Sequence, residues 1–102
     1  MAGVRKLLKE AQKMQQALEA VQEKLDKEEI EVSAGGGAVV VTITASQRLV
    51  KLDLDPELLK EDKAFVETTL VTAIQEALDK AKAQSEEALN AVSGGLSMPG
   101  LM

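Results

Sequence analysis

A heptad repeat at the start of the chain constrains it most. Val4, Ala11, Leu18 and Leu25 fall seven residues apart, and Leu7, Met14 and Val21 repeat at the same interval between them. Apolar residues so spaced line one side of a helix, so residues 2–27 are predicted to form one long helix with an apolar seam. After Gly3 no glycine or proline interrupts it, and Glu10, Gln12, Lys13, Gln15, Gln16, Glu23 and Lys24 place good helix formers on its other faces. A second stripe follows later: Val66, Leu70, Ala73, Ile74, Ala77, Ala81, Ala88 and Val92 predict a helix over roughly 62–92, with Asp62 as its N-cap. At about 1.5 Å per residue these helices would be about 39 Å and about 46 Å long. A compact domain of ~100 residues has a radius of gyration near ~13 Å, so both helices overrun it.

Between the helices the period changes from helical to alternating. Ile30 and Val32 alternate with Glu29 and Glu31, giving a short strand with one acidic face. Ala34-Gly35-Gly36-Gly37 is a turn or flexible tip. In the next strand Val39, Val41 and Ile43 face one way, and Val40, Thr42 and Thr44 the other. Ala45-Ser46-Gln47 makes a short connection, after which Val50, Leu52 and Leu54 alternate with Leu49, Lys51 and Asp53. Asp55-Pro56 ends this third strand, because proline lacks the ladder donor and suits the first position of a helical turn. The expected fold class is therefore α+β: a long N-terminal helix, a three-stranded antiparallel meander with one apolar face, and a long C-terminal helix. Residues 1–92 form the expected single domain. The uncharged Ser93–Met102 stretch, with Gly94, Gly95, Pro99 and Gly100, is expected to be a flexible tail. Its Leu96, Met98, Leu101 and Met102 remain apolar and suited to docking.

Such a sheet is too small to cover both stripes. The economical solution is a symmetric homodimer, intertwined or side by side, that shares one core and lets the helix ends project as arms. Leu7, Met14, Leu18, Val21, Val41, Ile43, Leu52, Leu70 and Ile74 are the residues assigned to that core or to the dimer seam.

Composition narrows the function. The 102 residues include no cysteine and no histidine, which excludes disulfides, thiolate zinc sites and imidazole chemistry. Phe65 is the single aromatic residue, so a platform for stacking bases has nothing to stack with. No phosphate-binding glycine motif precedes a helix, and carboxylate neighbours such as Glu28/Glu29 and Glu86/Glu87 have the spacing of a solvated face. No enzyme, cofactor, metal or small-molecule substrate is expected. No targeting segment and no apolar run of about 20 residues is present, so the expectation is a soluble cytoplasmic chain without a membrane partner.

Charge is unevenly spread within the net −5. Residues 1–27 carry six basic and four acidic groups, residues 28–59 two and six, and residues 60–92 four and seven. On the first helix Arg5, Lys6, Lys9 and Lys13 all lie opposite the apolar seam, whereas Glu19 and Glu23 occupy that face farther along. A basic tip on a projecting arm is a reasonable phosphate-contacting device, which makes these four residues candidate phosphate contacts, while an ordinary solvated helix face is the reading that the pattern alone leaves open beside it. Lys80 and Lys82 on the second helix are weaker candidates, being close to Glu76 and Asp79. The competing reading is a protein-interaction module whose arms hold a partner helix.

The order of elements resembles the YbaB/EbfC family of bacterial nucleoid-associated proteins over nearly the full length. Leu7-Leu8-Lys9-Glu10-Ala11-Gln12-Lys13-Met14-Gln15 is similar to the family's L-(M/L)-K-x-A-Q-x-M-Q signature. Val39-Val40-Val41-Thr42-Ile43 and Val50-Lys51-Leu52-Asp53-Leu54-Asp55-Pro56 resemble its strand pair and I-D-P turn. Leu58-Leu59 with Asp62, and Gly94-Gly95 with Pro99-Gly100, resemble the patterns that follow. Ala45-Ser46-Gln47 departs from the glycine-containing turn that many members have there. The resemblance implies a homodimer with a shared β core and protruding helices, likened to tweezers, that bind duplex DNA. It implies a place on the nucleoid, a role in nucleoid organisation that can extend to gene expression, and neither catalysis nor a cofactor. With little base-reading chemistry in the sequence, low sequence specificity is expected, and binding should be local and salt-sensitive.

Overall fold

The computed structural model describes residues 2–94. Helix α1 spans Ala2–Lys27, strands β1, β2 and β3 span Glu29–Ala34, Val39–Thr44 and Leu49–Leu54, a short 3-10 helix spans Pro56–Lys60, and helix α2 spans Lys63–Gly94. The strands form one antiparallel sheet in the order β1-β2-β3. The α+β meander flanked by two long helices is thus as expected. Helix α2 ends at Gly94, two residues past the approximate end expected for it. A glycine is readily accommodated in the closing turn of a helix. The rest of the expected tail lies outside the described residues.

Register explains the core. Val32 pairs with Val41 and Val41 with Leu52, while Val39 pairs with Ala34 and Leu54, so these side chains share one face. Helix α2 lies across the β1 and β2 part of that face. Its Ala73, Ala77 and Ala81 are fully buried against Val32, Val39, Val41 and Ile43, with Val66, Leu70, Ile74 and Leu78 packed alongside. Alanine at the contact line lets the helix approach closely, and its larger neighbours fill the space on either side. Leu58 from the 3-10 helix closes one end of the core. That helix is capped by Asp55, whose carboxylate accepts the Glu57 amide at 2.9 Å. The opposite sheet face carries exposed Glu29, Glu31, Ser33, Lys51 and Asp53 around buried Thr42 and Thr44.

One expectation about β3 is corrected. Its alternation is not regular: Thr42 pairs with Lys51 but Ile43 pairs with Leu49, leaving Val50 without a partner across the ladder. A bulge of this kind bends the strand and increases its twist. It brings Leu49, Val50 and Leu52 around one recess, although plain alternation would put Leu49 on the other face.

The two hairpin turns differ in chemistry. Gly35, Gly36 and Gly37 hold φ of 63°, 68° and 93°, so of the two expected forms, turn or flexible tip, the structure has the turn, with a left-handed backbone. A Cβ on Gly35 would meet Thr69 Cγ2 of α2 at 3.0 Å, whereas one on Gly36 would meet nothing. At the second turn Gln47 holds φ 68°, unusual for a residue with a side chain. Its amide donates to the Thr44 carbonyl at 2.9 Å, and its side-chain Nε2 reaches the Leu78 carbonyl of α2 at 3.2 Å. Those bonds offset part of the cost of the left-handed backbone.

These turns make a direct comparison. Gly36→Ala should cost only the left-handed backbone penalty of about 1–2 kcal/mol. Gly35→Ala should cost more than Gly36→Ala, because its methyl must also displace Thr69. Urea denaturation of the two variants checks the order, and equal midpoints would show that the tip does not press on α2.

Candidate nucleic-acid interface

The molecule is long and thin, 71 × 27 × 16 Å along its principal axes, with a radius of gyration of 19.8 Å. This shape follows from how α1 is anchored. Only its C-terminal end joins the body: Leu25 is buried, and the Glu28 carbonyl just past the helix accepts the Ala45 amide at 2.8 Å. Lys24 and Lys27 occupy the last turn, where cations face the negative end of the helix dipole. The last part of α2 runs beside α1, and a groove of about 520 Å³ between them is lined by Val21, Leu25, Ala88, Ala91 and Val92 among others.

Beyond this groove α1 rises away from the body. Val21, Leu18 and Met14 are half-buried, Ala11 is exposed, and Leu7 and Leu8 are 67% and 60% exposed. Burial along the seam therefore fades from the sheet outward. Arg5, Lys6, Lys9 and Lys13 are all exposed on this outer part, and none is in an ion pair among the described residues. The single ion pair there joins Lys60 to Glu57 at 3.1 Å on an exposed turn, where such contacts contribute little. The four arm cations are thus free to meet an external anion.

The remaining assigned residues are placed elsewhere. Lys80 and Lys82 are exposed, but they flank Ala81, which is buried against the sheet. Arg5 lies twenty residues before Leu25, about 30 Å out along α1. The structure thus brings Arg5, Lys6, Lys9 and Lys13 together and leaves Lys80 and Lys82 at the body. Asp79 beside them accepts the Gln75 side chain at 2.9 Å. Val41 and Ile43 are fully buried within the chain, Leu70 and Ile74 are half-buried, and Leu52 is 46% exposed.

Leu52 belongs to a second exposed surface. Because α2 covers β1 and β2, β3 keeps an apolar recess of about 170 Å³ lined by Val41, Leu49, Val50, Lys51, Leu52 and Ile74. Leu49 and Val50 join Leu52 on this surface although the sequence reading places neither in the core or the dimer seam. The signal for them was the apolar doublet itself, which breaks the alternation a regular strand requires. Among the described residues no cluster of three or more acidic side chains is placed to hold a metal, and no helix is long and apolar enough to cross a membrane.

Fold and charge layout together define a class: a small α+β module that carries a cationic helical arm on an acidic body. The model of the YbaB/EbfC DNA-binding family matches residues 1–96. A nucleoid-associated protein of Afipia carboxidovorans is 40% identical over 102 residues, covering 99% of this chain and 97% of the relative. Another nucleoid-associated protein, from Rhodopseudomonas palustris, is 39% identical over 100 residues, covering 97% and 95%. The solved structure of an uncharacterized protein from Helicobacter pylori matches with a TM-score of 0.77 at 23% identity, over 89% of this chain and 94% of that one. That last likeness is one of fold. The chain belongs to the YbaB/EbfC DNA-binding family.

Proposed function

We propose that this protein is a homodimeric, non-enzymatic nucleoid protein that binds duplex DNA with low sequence specificity through its arm tips. It acts in the cytoplasm on nucleoid organisation and, through it, on gene expression. Family membership and the names of its relatives support the DNA and nucleoid parts of this reading. The observation that carries the site is the set of four exposed cations, Arg5, Lys6, Lys9 and Lys13, at the far end of α1 and without carboxylate partners among the described residues. An α-helix about 10–12 Å across fits the major groove, about 12 Å wide, and long basic side chains on it reach phosphates on either strand. Phosphate contacts position a protein without identifying bases, so little discrimination between sequences follows.

The dimer rests on β3. Its recess leaves Leu49, Val50 and Leu52 half-exposed in the isolated chain, next to an unpaired strand edge. A second copy seated there would finish the core that α2 leaves open and would double the number of cationic arms. A second reading, arms that hold a partner helix, is favoured by the exposed Val4, Leu7 and Leu8 on the seam. It predicts a copurified protein and no retention of duplex DNA even at low salt.

Two measurements check the leading reading. Retardation of random duplexes across a salt series should give a slope of log K against log salt of about −4 to −7, if four to eight phosphates are neutralised per dimer. Replacing Arg5, Lys6, Lys9 and Lys13 with Gln should weaken binding to every sequence alike and flatten that slope. An unchanged slope would remove the arm tip as the site. Separately, Leu52→Glu should halve the solution mass from two chains to one while leaving the helical signal intact. A surface substitution on a monomer would change stability by no more than about 0.5 kcal/mol and the mass not at all.

A further inference from the structure

We propose that the groove between α1 and α2 receives the arm tip of a second copy of this chain, so that two α1 helices pair antiparallel, seam to seam. The groove has the form of an unfilled helix contact. Its α1 wall is Val21, Lys24, Leu25 and Glu28. Its α2 wall includes Gln84, Glu87, Ala88 and Ala91. Both sets follow the spacing i, i+3, i+4, i+7, which is the four-residue hole that receives one apolar knob from a facing helix. The alanines on the α2 wall are small, and about 520 Å³ lies open between the two helices.

The arm tip is the matching knob. Val4, Leu7 and Leu8 are 51%, 67% and 60% exposed. Leu8 widens the seam only at the tip, since Gln15 and Gln22 hold the equivalent heptad place farther along. A stripe of that width suits a helix that touches two others at once. With Leu7 of one copy over Leu25 of the other, Ala11 faces Val21 and Met14 faces Leu18, and the two-fold axis repeats each contact. Leu7 to Leu25 is about 27 Å of helix, so the same pairing closes the uncovered seams of both copies and fills both grooves. A parallel pairing would instead drive the rest of the incoming helix into the body. The flanking residues agree with the antiparallel register. Glu10 of each copy falls beside Lys24 of the other, while Leu8 meets Gln22, Gln15 meets Gln15 and Ala17 meets Ala17, so no like charges oppose. Neither Glu10 nor Lys24 is in an ion pair among the described residues. Arg5, Lys6, Lys9 and Lys13 stay on the outer face and β3 is not used, so this contact stands apart from both the DNA reading and the β3 dimer. Three heptads are a marginal length for such a pairing, so it forms between concentrated copies and lets go on dilution.

The chain has no natural cysteine, so single thiols report the contact in the full protein. In the proposed pair Ala17 lies beside its own copy across the two-fold axis, whereas its neighbour Gln16 lies on the outer face of the heptad; both are exposed in the single chain. At high protein concentration with a mild thiol oxidant, Ala17→Cys should form disulfide-joined pairs about tenfold faster than Gln16→Cys, because pairing raises the effective concentration of one thiol at the other. Equal rates would overturn the proposal. Glu10→Lys added to Ala17→Cys sets lysine against lysine and should bring the rate down to that of Gln16→Cys. Lys24→Glu added to both should restore it, and a double exchange that stays slow would sink the antiparallel register. Leu52→Glu with Ala17→Cys separates this contact from the β3 dimer. The joined pair should still form in that variant, and its loss would mean that β3 alone brings the arms together, leaving the groove without its occupant.

Discussion

The packing of three alanines against two strands sets most of what this protein is. Ala73, Ala77 and Ala81 seat α2 close over β1 and β2, where Val32, Val39, Val41 and Ile43 lose all or nearly all contact with water. Fully burying a side chain of that size contributes about 1.5–3 kcal/mol, so this small cluster dominates the apolar stabilisation of the chain. The helix covers only part of the sheet. Fixing it over β1 and β2 leaves β3 with an open apolar recess, and it aims the rest of α2 along α1. The elongated shape, the exposed strand and the free arm are consequences of that one placement.

Much of this was legible in the sequence because the signals were periodic. The heptad from Val4 to Leu25 located α1, and Val39-Val40-Val41-Thr42-Ile43 could only be a strand with a mostly apolar face. Local exceptions were harder to read. The Leu49-Val50 doublet forms a bulge that depends on how β3 pairs with Thr42 and Ile43, which is a tertiary fact. Gln47 takes a left-handed backbone where a glycine would be expected, and the compensating bond to Leu78 joins residues 31 apart in sequence. The glycine run is compatible with a turn or a flexible tip because glycine permits many conformations. What the run alone does not show is that a side chain at Gly35, unlike one at Gly36, would run into Thr69 of the distant helix.

The candidate site was legible for a related reason. Heptad position alone puts Arg5, Lys6, Lys9 and Lys13 opposite the seam, and the structure finds them exposed there and outside any ion pair among the described residues. What the heptad could not supply was the gradient of burial along that seam. The same pattern of Leu, Met and Val serves as core at Leu25 and as bare surface at Leu7. Periodicity gives the direction a side chain faces, while burial depends on what stands opposite. Here α2 stands opposite Leu25 and Val21, whereas Leu7 faces open solvent among the described residues.

Distance reconciles the cationic tip with the acidic body. Unit charges interact over a Debye length of about 8 Å at physiological ionic strength. Arg5 stands about 30 Å along α1 from Leu25, several such lengths from most of the body's carboxylates. A polyanion at the tip is therefore governed by the nearest charges, four cations with only Glu10 among them, and hardly by the net −5. A first helix lacking two or three turns of its middle would bring the β1 carboxylates Glu29 and Glu31 closer to the same phosphates. The length of the arm, which looked wasteful for a chain of this size, is what separates the two signs of charge. The length of α2 brings Ala88, Ala91 and Val92 beside Val21 and Leu25, which fixes the inner end of α1 from which the arm projects.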